Sequence, residues 1–122
     1  MITIDTKDRR PIYEQLIEDI KRQIIEGTLS PDEQLPSVRQ LAATLAINPN
    51  TIQKAYSILE REGVIYSLGG RGNYISTDTQ SIRAKKTSEI LDELRDSLTK
   101  AKECGVAKSI ILDHVSAVYG AL

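Results

Sequence analysis

The sequence has few of the residues that stabilise small proteins through covalent or metal cross-links. Its 122 residues include one cysteine, Cys104, and one histidine, His114. A single cysteine cannot form an internal disulfide, and neither residue has companions at the spacing of metal ligands. The sequence therefore excludes a fold held by disulfides and argues against a metal site, and a chain of this length can bury a core without either.

Long apolar runs are also absent. No stretch approaches the roughly 20 apolar residues that a membrane-spanning helix needs, and the amino-terminal MITIDTKDRR lacks the apolar core of a signal peptide. The content of 40% hydrophobic and 27% charged residues is that of an ordinary soluble protein. We therefore expect a cytoplasmic protein with no membrane partner.

The sequence has no excess of basic residues, since 16 Lys and Arg face 17 Asp and Glu, for a net charge of −1. Domains that bind nucleic acids commonly carry a basic excess that neutralises phosphates, so this balance counts against DNA binding. A small dimer can still bind DNA if its cations are gathered on one face. The candidates for such a face are Lys7, Arg9, Arg10, Arg39, Lys54 and Arg71.

Apolar residues recur every three or four positions in the first part of the chain, which is typical of amphipathic helices. Pro11 and Gly27 mark the start and the end of the first helix. Ser37 and Gln40 form an S-x-x-Q capping box that predicts the start of a second. The expected core-facing residues are Ile12, Leu16, Ile17, Ile20, Ile24 and Ile25, followed by Val38, Leu41, Ala42 and Leu45.

A third helix is predicted almost at once. Asn48 is a good N-cap and Pro49 a good first helical residue, and Gly63 predicts the end of this helix near Glu62. Two short helices joined by a tight turn predict a helix-turn-helix. The core face should carry Ile52, Ala55, Tyr56 and Leu59, and the opposite face Asn50, Gln53, Lys54, Ser57 and Arg61.

The period of the pattern then changes. VIYS and NYIS are short β-favouring runs, and LGGRG between them supplies the glycines that a hairpin reversal requires. Three helices followed by a β-hairpin is the order of a winged helix-turn-helix domain. We assign this domain to residues 1–78.

Residues 79–122 are predicted to form a helical hairpin that is broken at Gly105. At about 40 residues it is smaller than most units that fold alone, so its apolar face is expected to bury against a second copy. The segment TDTQSIRAKK is the expected linker. The predicted dimer-interface residues are Ile90, Leu91, Leu94, Leu98, Ile110, Ile111, Val115 and Val118. The predicted fold class is mostly α with a small β-hairpin, a winged helix-turn-helix domain followed by a two-helix dimerisation tail.

Four motifs occur in order between residues 5 and 77: LPS-x-R-x-LA after a glycine and loop, the NPNT turn, A-x-x-x-L-E-x-E-G, and G-x-G-x-Y-I. In combination they resemble the GntR family of bacterial winged-helix transcription regulators. The short tail is similar to that of the YtrA-type subfamily, whose members lack a large effector domain. One position departs from the family pattern, because Asp32 stands where members usually carry glycine. Aspartate tolerates the left-handed conformation less cheaply than glycine.

The resemblance implies that the domain binds double-stranded DNA. Arg39 matches a family arginine that contacts DNA, and the start of the third helix would enter the major groove, where Asn and Gln can pair bidentately with adenine. The predicted DNA-binding residues are Arg39, Asn48, Asn50, Thr51, Gln53, Lys54, Gly70 and Arg71. Taken alone, the polar face of the third helix would be interpreted as an ordinary solvated face, and only the turn and the wing favour DNA.

Several basic residues and one aromatic residue can also be explained without a role in DNA binding. Arg71 at the hairpin tip could enter a minor groove or touch phosphate, or it could be a turn residue that favours solubility. Tyr13 matches a family aromatic near the DNA backbone, and core packing explains it equally well. Lys7, Arg9 and Arg10 could approach phosphate, although a flexible solvated arm is the simpler interpretation.

The sequence does not predict an enzyme. Asp92, Glu93 and Asp96 have no histidine, cysteine or glycine-rich loop near them that would indicate acid-base, metal or phosphate chemistry. No basic cluster surrounds Cys104 in sequence to make it a redox sensor, and His114 is interpreted as a packing or surface residue. No cofactor is expected.

We expect a homodimeric regulator, specifically a repressor, that binds an inverted-repeat operator. The resemblance suggests a transporter operon as its target, and the sequence does not identify a small-molecule effector. One alternative is a winged helix that binds proteins without sequence-specific DNA binding. A second is the regulatory domain of an aminotransferase-like fusion, against which the initial methionine and the closing helical hairpin argue.

Overall fold

The computed structural model describes residues 1–121, so Leu122 of the predicted tail lies outside the described residues. The described part forms five α-helices and one antiparallel β-hairpin, which confirms the predicted fold class. A short 3₁₀ turn at Gly69–Arg71 joins the two strands. The elements are α1 (Ile12–Glu26), α2 (Val38–Leu45), α3 (Pro49–Arg61), β1 (Ile65–Ser67), β2 (Asn73–Ile75), α4 (Thr79–Glu103) and α5 (Lys108–Tyr119).

The chain divides into two compact units, Met1–Ala84 and one that begins at Lys85. In the first unit α3 packs against both α1 and α2, and the hairpin follows α3 directly. Ile65 pairs with Ile75 across the hairpin, and both are buried. The predicted core positions of α3 are all buried, and they join the buried residues Leu16, Ile20, Ile24, Leu41 and Ala42 of α1 and α2.

The predicted boundaries of α1, α2 and α3 are confirmed, and local capping interactions set them. The Ser37 side chain accepts from the Gln40 N–H, and the Gln40 side chain accepts from the Ser37 N–H, so the capping box is complete. Gly27 ends α1 in the left-handed conformation, with φ of 83°. Between α2 and α3 the chain reverses through Ala46, which has φ of 56° although it is not glycine.

Asp32, which departs from the family pattern, adopts the left-handed conformation with φ of 64°. Its carboxylate accepts a hydrogen bond from the Thr77 hydroxyl at 2.6 Å and one from the Tyr66 hydroxyl at 2.8 Å. These two bonds lower the pKa of Asp32 below its usual value. A left-handed backbone is costly for Asp32 because the residue has a side chain. The same side chain stabilises this conformation, because it joins the loop to the hairpin and to the segment after the hairpin.

The amino-terminal segment is not a flexible arm. Ile2 is buried in the core, and three polar side chains of α1, spaced four residues apart, hold the backbone of the segment at distances of 2.8 to 3.1 Å. The bonds join the Thr3 N–H to Asp19, the Asp5 N–H to Gln15, and the Met1 carbonyl to Gln23. Arg10 pairs with Asp8 and Glu18, so it is engaged within the protein.

The segment TDTQSIRAKK, which was predicted to be a linker, contains the division between the two units at Ala84 and Lys85, but it is helical because α4 begins at Thr79. Asp78 caps this helix by accepting from the Ser81 N–H at 3.0 Å. Ile82 packs against the core, and the Arg83 guanidinium donates to backbone carbonyls at the end of α1, including that of Ile25. The cap at Asp78 and the packing of Ile82 against the core thus explain why this mostly polar segment is helical.

The two predicted tail helices are present, and they are joined by the turn at residues 104–107. Neither helix contains a buried residue within the described chain. The predicted interface residues are exposed, with Leu94 at 50% and Val115 at 49%, except Ile111, which is partly buried. The apolar faces of α4 and α5 are therefore exposed within the described residues. None of the described helices is both long enough and apolar enough to span a bilayer.

Tyr56 links α3 to the segment that leads into α2. The residue is 2% exposed, and its hydroxyl donates to the Pro36 carbonyl at 2.7 Å. We predict that Tyr56→Phe lowers the free energy of unfolding by about 1 kcal/mol, because the Pro36 carbonyl loses its partner in a partly buried place. Urea unfolding measures the loss. The control is Tyr13→Phe, whose hydroxyl makes one long, exposed bond of 3.4 Å; equal losses in the two variants would contradict the prediction.

Candidate DNA-binding surface

The candidate surface is the exposed face of α3, and the opposite face of this helix packs in the core. Ile52, Ala55, Tyr56 and Leu59 face the core, and Ile52 and Leu59 have no exposed surface. The polar residues Asn50, Gln53, Lys54, Ser57 and Arg61 are exposed on the other side, as the sequence predicted. The helix therefore presents amides, hydroxyls and cations from its first turn onward, which is the chemistry that reads base edges and phosphates.

Asn48 caps α3, and its amide oxygen accepts from the Asn50 N–H at 2.8 Å. This bond gives the predicted DNA-binding residue Asn48 a structural role, and only its amide NH₂ can still donate to a ligand. Thr51 is partly buried, whereas Asn50 is exposed beside it. The helix amino terminus adds a partial positive charge that favours phosphate nearby.

Two side chains of α3 have neighbours that limit their movement. The Gln53 amide NH₂ donates to the Ser57 hydroxyl one turn further at 3.1 Å. The Lys54 ammonium lies 3.9 Å from the centre of the Tyr13 ring of α1, a cation–π contact. Tyr13 also packs against the core, so core packing is confirmed and a contact with the DNA backbone stays a prediction.

Arg39 lies in the first turn of α2 and is exposed. Among residues 1–121 its guanidinium takes part in no ion pair, unlike Arg10 and Arg22 of the same unit. The capping box at Ser37 fixes the start of α2 and so the position from which Arg39 projects. The structure thus leaves Arg39 available to an anionic ligand next to the helix-turn-helix.

Arg71 and Gly70 lie at the tip of the hairpin, and both are exposed. The turn backbone there accepts two hydrogen bonds at the Arg71 carbonyl, from the Gln34 amide at 3.0 Å and from the Tyr74 hydroxyl at 3.1 Å. Neither Gln34 nor Tyr74 was among the residues predicted from the sequence. The alternation in NYIS, which places Tyr74 on the face opposite Ile75, was the signal that could have pointed to Tyr74.

Across the described range, no three His, Cys, Asp or Glu side chains are grouped closely enough to hold a metal ion. Cys104 is exposed and belongs to the second unit. A helix-turn-helix with an exposed polar α3 and a cation-tipped hairpin defines the class of winged helix-turn-helix DNA-binding domains.

Comparison with known proteins identifies the family. The profile of "Bacterial regulatory proteins, gntR family" matches residues 12–75. The HTH-type transcriptional repressor YtrA of Bacillus subtilis is 43% identical over 107 residues, which cover 87% of this chain and 82% of the relative. A transcriptional regulator from Oenococcus oeni, solved by crystallography, has a TM-score of 0.81 at 33% identity and covers 98% of this chain and 100% of that chain.

A third similar structure is that of AraR(DBD) in complex with operator ORE1. It has a TM-score of 0.53 at 28% identity and covers 62% of this chain and 93% of that chain. The chain therefore belongs to the GntR family of bacterial regulatory proteins. It is a transcription regulator with a DNA-binding winged helix, and the expectation that it is not an enzyme is confirmed by the family.

Two substitutions at Asn48 can separate its capping role from a contact with DNA. We predict that Asn48→Ala destabilises the protein by about 1 kcal/mol through loss of the cap. Asn48→Ser should retain nearly all the stability, because serine caps equally well, while removing the amide NH₂. Thermal unfolding and DNA titration on both variants give the two readouts. Full DNA affinity in Asn48→Ser would refute the assignment of Asn48 as a DNA contact.

Proposed function

We propose that the protein is a homodimeric transcriptional repressor that binds an inverted-repeat operator. The observation that carries this proposal is the two-sided character of α3, which buries one face completely and leaves Asn50, Gln53 and Lys54 exposed on the other. The similarity to AraR(DBD) in complex with an operator and to the repressor YtrA supports it. No structural observation favours a protein ligand over DNA.

In this proposal the amino terminus of α3 enters the major groove. Asn50 and Gln53 would pair with base edges, since an amide can both donate and accept, and Thr51 would reach a phosphate or a base. Arg39 from α2 and Lys54 from α3 would contribute positive charge on either side of the helix start. Arg71, with Gly70 beside it, would touch the minor groove or the phosphates next to it.

The dimer is proposed to form through the tail. Its eight predicted interface residues are apolar, and seven of them are exposed in the single chain. A second copy is the proposed occupant, because a two-fold partner offers the same apolar face and because two linked domains bind two half-sites with a higher effective concentration. The half-sites would then lie about one helical turn, or a multiple of it, apart.

Repression would follow if the operator overlaps a promoter, so that bound protein excludes the polymerase. The resemblance to the YtrA-type branch is the basis for proposing a transporter operon as the target. The location that we propose is the cytoplasm, as the sequence patterns led us to expect. We propose no cofactor. In the described part of the tail neither helix contains a buried residue, so this part encloses no cavity of the several hundred cubic ångströms that ligand sites usually have.

The first test is selection of bound sequences from a random duplex library at a stated salt concentration. We predict enrichment of one inverted repeat by the wild-type protein. Arg39→Ala should weaken binding to that repeat by about 1 to 3 kcal/mol, because a groove contact is lost, and should leave the dimer intact. Titration of the selected duplex with each protein measures the difference.

The matched control is Arg22→Ala, since Arg22 pairs with Asp19 and Glu26 on α1. This variant should keep its DNA affinity. If the library yields no enriched repeat, or if Arg39→Ala binds like the wild type, the proposed reading surface is wrong.

The second test addresses the dimer. We predict that Leu94→Asp combined with Leu98→Asp yields monomers with poor operator affinity, because two charges would have to be buried in the interface. Sedimentation gives the mass and titration gives the affinity. The control is Ser88→Asp combined with Thr99→Asp, which adds the same charge to α4 outside the apolar stripe. Dimers that survive the leucine substitutions would refute a tail interface.

A further inference from the structure

The hairpin tip is held by a residue from outside the hairpin. The Arg71 carbonyl accepts from the Gln34 amide at 3.0 Å, and the Tyr74 hydroxyl donates to the same oxygen at 3.1 Å. Gln34 precedes α2, and it is separated from Arg71 by 37 positions in sequence. We call these three residues, Gln34, Arg71 and Tyr74, the wing clamp.

The loop that carries Gln34 runs alongside β2 as a short additional edge. The Leu35 N–H donates to the Asn73 carbonyl and the Ile75 N–H to the Glu33 carbonyl, each at 2.8 Å. Gln34 itself forms an antiparallel bridge with Tyr74. Since Ser37 caps α2 only three residues after Gln34, the clamp connects the hairpin tip to the helix that carries Arg39.

Gly72 makes room for the clamp. A Cβ at this position would lie 3.0 Å from the Gln34 amide nitrogen, and the glycine has φ of 113°, which other residues rarely adopt. The Gln34 side chain therefore lies directly against the hairpin backbone. This close approach gives Gly72 a role in the wing that is separate from the reversal of the chain.

A second set of contacts supports Tyr74. Its ring stacks on that of Tyr66, with centroids 5.6 Å apart and planes 19° apart. The Tyr66 hydroxyl in turn donates to the Asp32 carboxylate at 2.8 Å. The rings on both strands are thus tied to the same loop that carries Gln34, so the tip and the base of the hairpin have one common support.

We infer that Gln34 and Tyr74 are positioning residues, which hold the backbone at Arg71 so that its guanidinium meets DNA at a fixed place relative to α3. This inference rests on the proposed function. Arg71 is flanked by Gly69, Gly70 and Gly72, and such a backbone loses much conformational freedom when a ligand orders it. The clamp removes that freedom before DNA arrives, which favours affinity without contacting DNA.

The test is a double-mutant cycle on the selected operator. The clamp variant combines Gln34→Met, which keeps the length and charge of the side chain but removes its donor, with Tyr74→Phe, which keeps the stacked ring. Arg71→Ala removes the positioned group. We predict that the clamp variant loses about threefold to tenfold in affinity, the range expected for hydrogen bonds of ordinary strength. In the Arg71→Ala background the same changes should have almost no effect.

A readout without DNA separates positioning from a general loss of stability. The ¹⁵N order parameter of the Arg71 amide should fall from the level of rigid backbone, about 0.85, to below about 0.6 in the clamp variant. The amides of α3 should not change. Gln80→Met combined with Tyr119→Phe repeats the chemistry of the substitutions in exposed parts of α4 and α5, and it should alter neither the affinity nor the Arg71 order parameter.

Three outcomes would overturn the inference: an unchanged order parameter at Arg71, an affinity loss that adds fully to that of Arg71→Ala, or no loss in Arg71→Ala itself. If Arg39→Ala still weakens binding while Arg71→Ala does not, the inference fails and the proposed function stands. If the wild type selects no operator, both fail together.

Discussion

The packing of α3 against α1 and α2 is the interaction on which the rest of the structure depends. Ile52, Tyr56 and Leu59 are at most 2% exposed, and full burial of a side chain such as leucine or isoleucine contributes roughly 1.5 to 3 kcal/mol. Because the apolar face of α3 is buried in the core, the polar face of this helix must point away from the core. The same packing fixes where the hairpin begins, since β1 starts four residues after α3 ends.

The sequence predicted the features that depend on near neighbours. The Ser37 capping box and the Asn48 cap join residues at most three positions apart, so they are visible as short motifs. Features that join distant residues were not predicted. Nothing in the sequence showed that Gln15, Asp19 and Gln23 would hold the amino-terminal segment, or that Gln34 would reach Arg71, because those pairings exist only once the helices and the hairpin have packed.

Asp32 shows how a departure from a family pattern can be compensated locally. A left-handed backbone disfavours any residue with a Cβ, yet here the side chain gains hydrogen bonds from Thr77 and Tyr66 that glycine could not make. Tyr66 belongs to the hairpin and Thr77 to the segment that follows it. The conformation of the loop at Asp32 therefore depends partly on contacts with the hairpin. The sequence identified the position as unusual, but only the structure shows its two partners.

The distribution of ion pairs answers the objection that a chain with net charge −1 should not bind DNA. Asp8 and Glu18 are paired with Arg10, Glu62 with Lys21, and Asp19 with Arg22, so these acids and cations largely neutralise one another around α1. In the part of the chain that the structure describes, Arg39 and Arg71 form no such pairs, and Lys54 lies on an aromatic ring rather than on a carboxylate. Unpaired cations and the start of α3 therefore contribute positive potential at the candidate surface, and salt largely screens charges more than about 10 Å from a bound phosphate. Net charge describes the whole chain, whereas binding depends on the charges within that distance of the phosphates.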